Sequence, residues 1–413
     1  MRVDNFTKNN IIMFVSNGLS SFLNLIYQLV MLRLLSRDIF ASLSSLLSLF
    51  GIISVPAMAF TIMVTKYVSS NNARNESRQL KAVWQRLFIH SFLFSLGVLA
   101  VVAIFSSSIT NFLQINSVTS VIILGGILFV SGITPIINGG LQGLEKFKWL
   151  AAFSVLAGVL RLAVSAGFLR FMPRAPLDAV LLGFLVSGLV CTAASLGPLS
   201  FLLKTKARDE DVDLRQPYLY VLPTFIVSLC AALLTNIDMV LVKHFFLTEA
   251  QDYSVAQLIG KIVLFIPGMI YMVMFSRASN LYASRQGSRD ILKRSVLFAF
   301  GLCLFAVVLY NLFPQLIMRI MAGPFNSNSI MLGRFFSFAM FFCALNNILL
   351  YYQLSVESYD FIKPLILMTA LQITAIGIFH KTALWVIVAV LINSMVIFIL
   401  NLRSAFKASS IGE

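Results

Sequence analysis

Residues 235–277 read TNIDMVLVKHFFLTEAQDYSVAQLIGKIVLFIPGMIYMVMFSR. Two apolar runs of helix length are joined by a polar turn at Thr248 and Glu249, and the second run carries Lys261 where lipid-facing residues belong. An ammonium inside a membrane helix is costly, so Lys261 is either paired, lifted toward the interface, or turned to water and a ligand. The segment has a counterpart in the first half of the chain. Moving back by 211 positions, Pro267 falls on Pro56, Arg277 on Lys66, Arg285 on Arg74, Arg289 on Arg78, Gln353 on Gln142 and Gln372 on Arg161. One match means little in two halves drawn from the same apolar alphabet. Six at a single offset, close to half of 413 residues, predict an internal duplication.

Composition sets the class. With 59% hydrophobic residues and only 11% charged, the chain is predicted to be an all-α integral membrane protein, because no soluble fold can hide that much apolar surface. A net charge of +15 suits anionic lipid or an anionic substrate. It does not suit nucleic acid, since no basic segment is long enough to form a binding domain. Cys191, Cys230, Cys303 and Cys343 lie inside apolar runs without metal-ligand spacing and read as small buried hydrophobes. The first apolar run has no cleavage site after it and reads as a retained helix.

Apolar runs of spanning length fall near residues 11–32, 39–65, 87–105, 118–141, 150–171 and 178–203, then 218–241, 253–275, 295–318, 329–353, 364–380 and 382–402. The expectation is twelve transmembrane helices in two six-helix repeats around a central cavity. The N-terminal lobe then covers 1–203, a polar cytoplasmic linker 204–217, and the C-terminal lobe 218–413. Loops on the side of the termini hold 21 Lys and Arg against 7 on the opposite side, which predicts cytoplasmic termini. Those seven are Arg33, Arg37, Arg170, Arg174, Lys243, Arg319 and Lys381.

The three remaining basic residues, Arg161, Lys261 and Arg334, lie inside spans. At about 1.5 Å per residue, Arg161 sits about 17 Å from the cytoplasmic end of its helix and Lys261 about 12 Å from the outer end of its own. A charge at that depth costs about 2.5–3.5 kcal/mol on insertion scales. Arg334 is close enough to a helix end to snorkel. Polar stripes accompany them at helical spacing: Asn17, Ser20, Asn24 and Gln28; Ser154, Gly158, Arg161 and Ser165; Tyr253, Gln257 and Lys261. Such stripes suit interhelical packing as well as sugar hydroxyls. The acid clearly inside a span is Asp238, which can pair with Lys261 or, nearer the outer end, with Lys243 or His244. One carboxylate cannot balance two mid-membrane cations, so an aqueous cavity awaiting an anion is expected. His90, His244 and His380 lie at helix ends without neighbouring ligands. Neither a phosphate-binding glycine loop nor a catalytic set is present, so no catalytic residues, metal or cofactor are expected.

The stretch from Arg33 to Phe40, RLLSRDIF, and the segment from Asn236 through Lys243 and Tyr253 to Pro267 resemble the bacterial oligosaccharide flippases. These are the Wzx-type polysaccharide biosynthesis proteins of the multidrug/oligosaccharidyl-lipid/polysaccharide exporter superfamily. The resemblance covers nearly the whole chain and departs from the usual pattern at Phe40-Ala41, where glycine commonly follows the aromatic residue. It implies transfer of an undecaprenyl-diphosphate-linked oligosaccharide from the cytoplasmic to the outer leaflet of a bacterial inner membrane by alternating access, as part of polysaccharide or lipopolysaccharide assembly. Basic cavity residues would contact the diphosphate. Arg161, Lys261 and Arg334 fit that role by position, with Asn24 and Gln257 toward the sugars. A glycan polymerase and chain-length machinery are the protein partners implied beside the lipid bilayer. Two other functions are weighed. A cation-coupled multidrug antiporter of the same superfamily needs membrane acids, which the first-half spans lack. A membrane glycan polymerase or ligase needs larger external loops than these.

Overall fold

The computed structural model describes residues 5–74, 77–203, 215–265, 267–284, 286–323 and 326–409, and every regular element among them is helical. Arg285 and residues 204–214 of the expected linker lie outside the described residues. The first half runs α1 (Asn5–Leu34), α2 (Arg37–Ile53), α3 (Val55–Ala73), α4 (Ser77–Ile104), α5 (Ser106–Phe112), α6 (Val118–Gly143), α7 (Phe147–Phe171) and α8 (Pro176–Leu196). After the short α9 (Ser200–Leu203), the second half runs α10 (Arg215–Phe245), α11 (Glu249–Phe265), α12 (Gly268–Ala283) and α13 (Arg289–Leu312). It ends with α14 (Pro314–Met321), α15 (Ser327–Ser355), α16 (Ile362–Ile378) and α17 (Ala383–Ser409).

Among the described residues, nine helices are long and apolar enough to cross a membrane. Their outward faces are apolar: α13 alone exposes Leu297, Phe298, Phe305 and Leu312. Contiguous faces of this kind are stable against lipid and not against water. The protein is therefore a multi-pass membrane protein.

The chain divides into two compact units, one of residues 1–27 and 53–225, the other of residues 28–52 and 226–413. Unit 1 is built around α6, the most buried of its spans. Its core gathers Val64 and Val68 of α3, Trp84 and Leu87 of α4, and Ile136, Ile137 and Leu141 of α6. Trp84 Nε1 donates to the Ile136 carbonyl at 3.3 Å. Glycine sets the spacing between α3 and α6. A Cβ added at Gly139 would stand 2.7 Å from Val64 Cβ and 2.9 Å from the Thr61 carbonyl, and one at Gly143 would stand 2.7 Å from Val68 Cβ. Small residues four apart let two membrane helices approach closely, and here that approach seals the core. Gly139→Leu and Gly143→Leu are each expected to cost about 1–3 kcal/mol through overpacking. Thermal unfolding of purified protein in detergent should show the loss, whereas Gly97→Ala, where no atom lies near the added methyl, should leave the midpoint in place.

Unit 2 is built around α15, which is as deeply buried as α6. Residues 28–52 join this unit although they precede the rest of it in sequence. The reason is that α2 places Ala41 in a shared core with Met239, Val242 and Ala256. Lys243 Nζ also meets Asp38 Oδ1 at 3.4 Å, and Arg37 meets Asp252 at the same distance. Gln372 of α16 donates to the Leu234 carbonyl of α10 at 3.0 Å and accepts from Asn393 of α17 at 2.8 Å. Two helix pairs are broken at proline, α2 from α3 before Pro56 and α11 from α12 at Pro267. Proline lacks the N–H that would continue the ladder and clashes with the preceding turn.

Candidate substrate-binding site

In unit 1, Arg161 is held at the middle of α7. Its Nη1 donates to Asn24 Oδ1 of α1 at 3.1 Å. The guanidinium lies over the Phe184 ring of α8, 3.9 Å from the centroid, and 5.7 Å from the Tyr27 centroid. Close approach of α7 and α8 makes this stack possible. At Gly183 an added methyl would overlap the Ser165 backbone, and Ser165 Oγ donates to the Val180 carbonyl at 3.1 Å. Aromatic faces stabilise a desolvated cation through their quadrupole, but they do not neutralise it. No carboxylate lies within ion-pairing distance of Arg161 among the described residues, and its buried Nε has no hydrogen-bond partner there. The guanidinium thus keeps both a full charge and an unused donor.

In unit 2, Tyr253, Gln257 and Lys261 lie one turn apart on the face of α11 that meets α10. Lys261 Nζ donates to Asn236 Oδ1 at 2.9 Å, and Asn236 Nδ2 donates in turn to the Ala232 carbonyl, which fixes the amide orientation. Asp238 is fully buried and accepts from Tyr253 Oη at 2.8 Å and from Gln257 Nε2 at 3.4 Å. Lys243 pairs with Asp38, Lys261 bonds to Asn236, and Asp238 accepts from the neutral donors Tyr253 and Gln257. This cluster holds one base and one acid, whereas the Arg161 cluster holds a base alone. Asp238→Leu is expected to cost about 2–3 kcal/mol, because Tyr253 and Gln257 lose a buried charged acceptor. Asp238→Asn should recover most of this, since its amide oxygen can still accept. Unfolding midpoints of the two variants check the difference.

The structure therefore brings Asn24 to Arg161, and Gln257 and Lys261 to one polar face. Arg334 is exposed on α15. Sequence reasoning missed Phe184 as the partner of Arg161, because an aromatic residue in an apolar run carries no periodic signal. Asn236 stood two residues before Asp238 in the quoted segment, and only the helix pairing shows that its side chain accepts the ammonium's hydrogen bond.

This is the fold of the transporters and flippases of the MOP superfamily. It superposes on a multidrug resistance MATE family transporter of that superfamily in an inward-facing conformation with a TM-score of 0.79, at 15% identity over 95% of each chain. On the lipid II flippase MurJ in its inward closed conformation the TM-score is 0.72, at 14% identity over 97% of this chain and 90% of that one. On MATE in complex with MaD3S it is 0.70, at 16% identity over 97% and 94%. Residues 6–253 match the family described as polysaccharide biosynthesis protein, and the chain belongs to that family. No curated protein matches the sequence significantly.

Proposed function

We propose that the protein is a flippase that carries an undecaprenyl-diphosphate-linked oligosaccharide from the cytoplasmic to the outer leaflet of a bacterial inner membrane by alternating access, without covalent chemistry. The observation that carries this reading is the Arg161 guanidinium: at mid-span, stacked on Phe184, held by Asn24, and without an acid. A planar fork of donors at low dielectric suits diphosphate oxygens. In unit 2, Lys261 and Gln257 form a second group of donors suited to phosphate or sugar oxygens, as Asn24 does beside Arg161 in unit 1. The membership in a polysaccharide biosynthesis family supports a glycan cargo.

The same reading includes twelve spans in two repeats. The nine long spans, the two proline-broken pairs and the shorter α16 together make twelve. Several pairs of features support the duplication. The breaks fall at Pro56 and Pro267, which are 211 positions apart. Left-handed residues end α5 and α14 at Gln114 and Gly323, and end α6 and α15 at Glu145 and Glu357. Arg161 ties α7 to α1 at Asn24, and Gln372 ties α16 to α10 at Leu234, next to the 211-shifted position.

Asp238 favours a second reading, a cation-coupled antiporter, since a buried carboxylate is what such a transporter needs. Purified protein in liposomes with a fluorescent lipid-linked oligosaccharide separates the two. Translocation of the lipid without drug efflux supports the flippase; drug efflux without lipid translocation overturns it.

A further inference from the structure

At the end of unit 2 where α1 gives way to α2 and α14 to α15, a cavity of about 920 Å³ is lined by three arginines, Arg33, Arg37 and Arg319, with Leu32, Leu35 and Val255 between them. We propose that this cavity binds the phosphate of a lipid headgroup in the leaflet at that end, which the charge count makes the outer one.

The lining is electropositive beyond what its own contacts balance. Arg37 meets Asp252 at 3.4 Å, and Asp252 also accepts from Ser329 at 2.5 Å. Arg33 donates to the backbone carbonyl of Ile320, which spends a donor and leaves the charge. Arg319 has no hydrogen-bonded or ionic partner among the described residues. The nearby Asp38 is engaged by Lys243. Among the described residues, neither Arg33 nor Arg319 therefore meets a carboxylate. This concentration runs against the general scarcity of basic residues on that side, where the sequence places only seven in all. The short helix α5 of unit 1 carries no basic residue, so the fold does not require one in such an element.

The neighbouring surface indicates a lipid and not a soluble anion. Beside Arg319, α14 turns Leu316 and Ile320 outward, 56% and 60% exposed, and Phe313 precedes them at 55%. A short helix with a buried Met318, an apolar outer face and a basic end lies naturally at the boundary between headgroups and acyl chains. Acyl chains can lie on that face while the phosphate enters the cavity, whose volume falls in the range that encloses a small ligand. Arginine forks bind phosphate oxygens in pairs, which fits a diester or a diphosphate. The shared chemistry is the phosphate headgroup, and its source is either a bilayer phospholipid or the polyprenyl carrier.

The test uses full-length protein carrying Arg161→Gln and Lys261→Gln, so that binding here is read apart from the flippase reading. In phosphatidylcholine nanodiscs, retention of added phosphatidylglycerol or of sugar-free polyprenyl diphosphate is measured by native mass spectrometry. The parent should retain one of the two lipids, and Arg319→Gln should weaken that retention about tenfold or more. Arg319→Lys should keep part of it, and Arg174→Gln, a charge-matched control in another external loop, should change nothing. The lipid retained identifies the source. Equal retention by the parent and Arg319→Gln overturns the site. So does inorganic diphosphate binding as tightly as the lipid, which would make it a soluble-anion site. An Arg319 that only offsets the α14 dipole would lower the unfolding midpoint and leave retention unchanged.

Discussion

Arg161→Gln is expected to reduce lipid-linked oligosaccharide translocation about 100-fold while leaving the protein folded and inserted. A charge-assisted hydrogen bond from a guanidinium to a phosphate contributes about 1.5–3 kcal/mol, and 100-fold is about 2.7 kcal/mol. Folding should survive because no carboxylate pairs with Arg161 among the described residues, so removing its charge strands no buried acid. Arg161→Lys keeps the charge but not the fork, and should lose part of the rate. Fluorescence quenching of labelled lipid in proteoliposomes measures the rate, and size-exclusion chromatography of the same preparations checks the fold. For Lys261→Gln the loss should be smaller, because that ammonium already shares its cluster with Asp238.

The second large effect is electrical. Moving one negative charge outward across a membrane at 100 mV, negative inside, releases about 2.3 kcal/mol, which shifts the transmembrane distribution about 50-fold per charge. A diphosphate carries more than one charge, and the surplus positive charge of the empty carrier is drawn back inward by the same field. Arg161 supplies that surplus, since it has no acid beside it, whereas Lys261 is offset within unit 2. A potassium gradient with valinomycin should therefore accelerate wild-type translocation in the outward-favouring direction and slow it when reversed.

Much of this was legible in the sequence because lipid imposes simple rules. Runs of apolar residues about twenty long announce the helices, and a charge within one stands out by its cost. Arg161 and Lys261 were found that way, and the break at Pro267 follows from the missing N–H. What the sequence does not display is which helices meet. Phe184 sits under Arg161 only because Gly183 lets α8 approach α7. Asp238 had three candidate cations within reach along the chain, yet its bonds come from Tyr253 and Gln257, because α11 lays one face along α10. The placement of α2 in unit 2 depends on ion pairs between residues more than two hundred positions apart. Arg33, Arg37 and Arg319 likewise converge from distant segments that no spacing rule connects.

The most direct test of the account is the initial rate of translocation of a fluorescent undecaprenyl-diphosphate oligosaccharide in proteoliposomes, measured for wild type and for Arg161→Gln/Lys261→Gln with and without an imposed potential. The expected result is a rate in wild type that rises with the potential, and in the double variant a rate near that of protein-free liposomes with no response to voltage. A double variant that translocates normally and keeps its voltage dependence would contradict it, and would reduce both cations to structural roles.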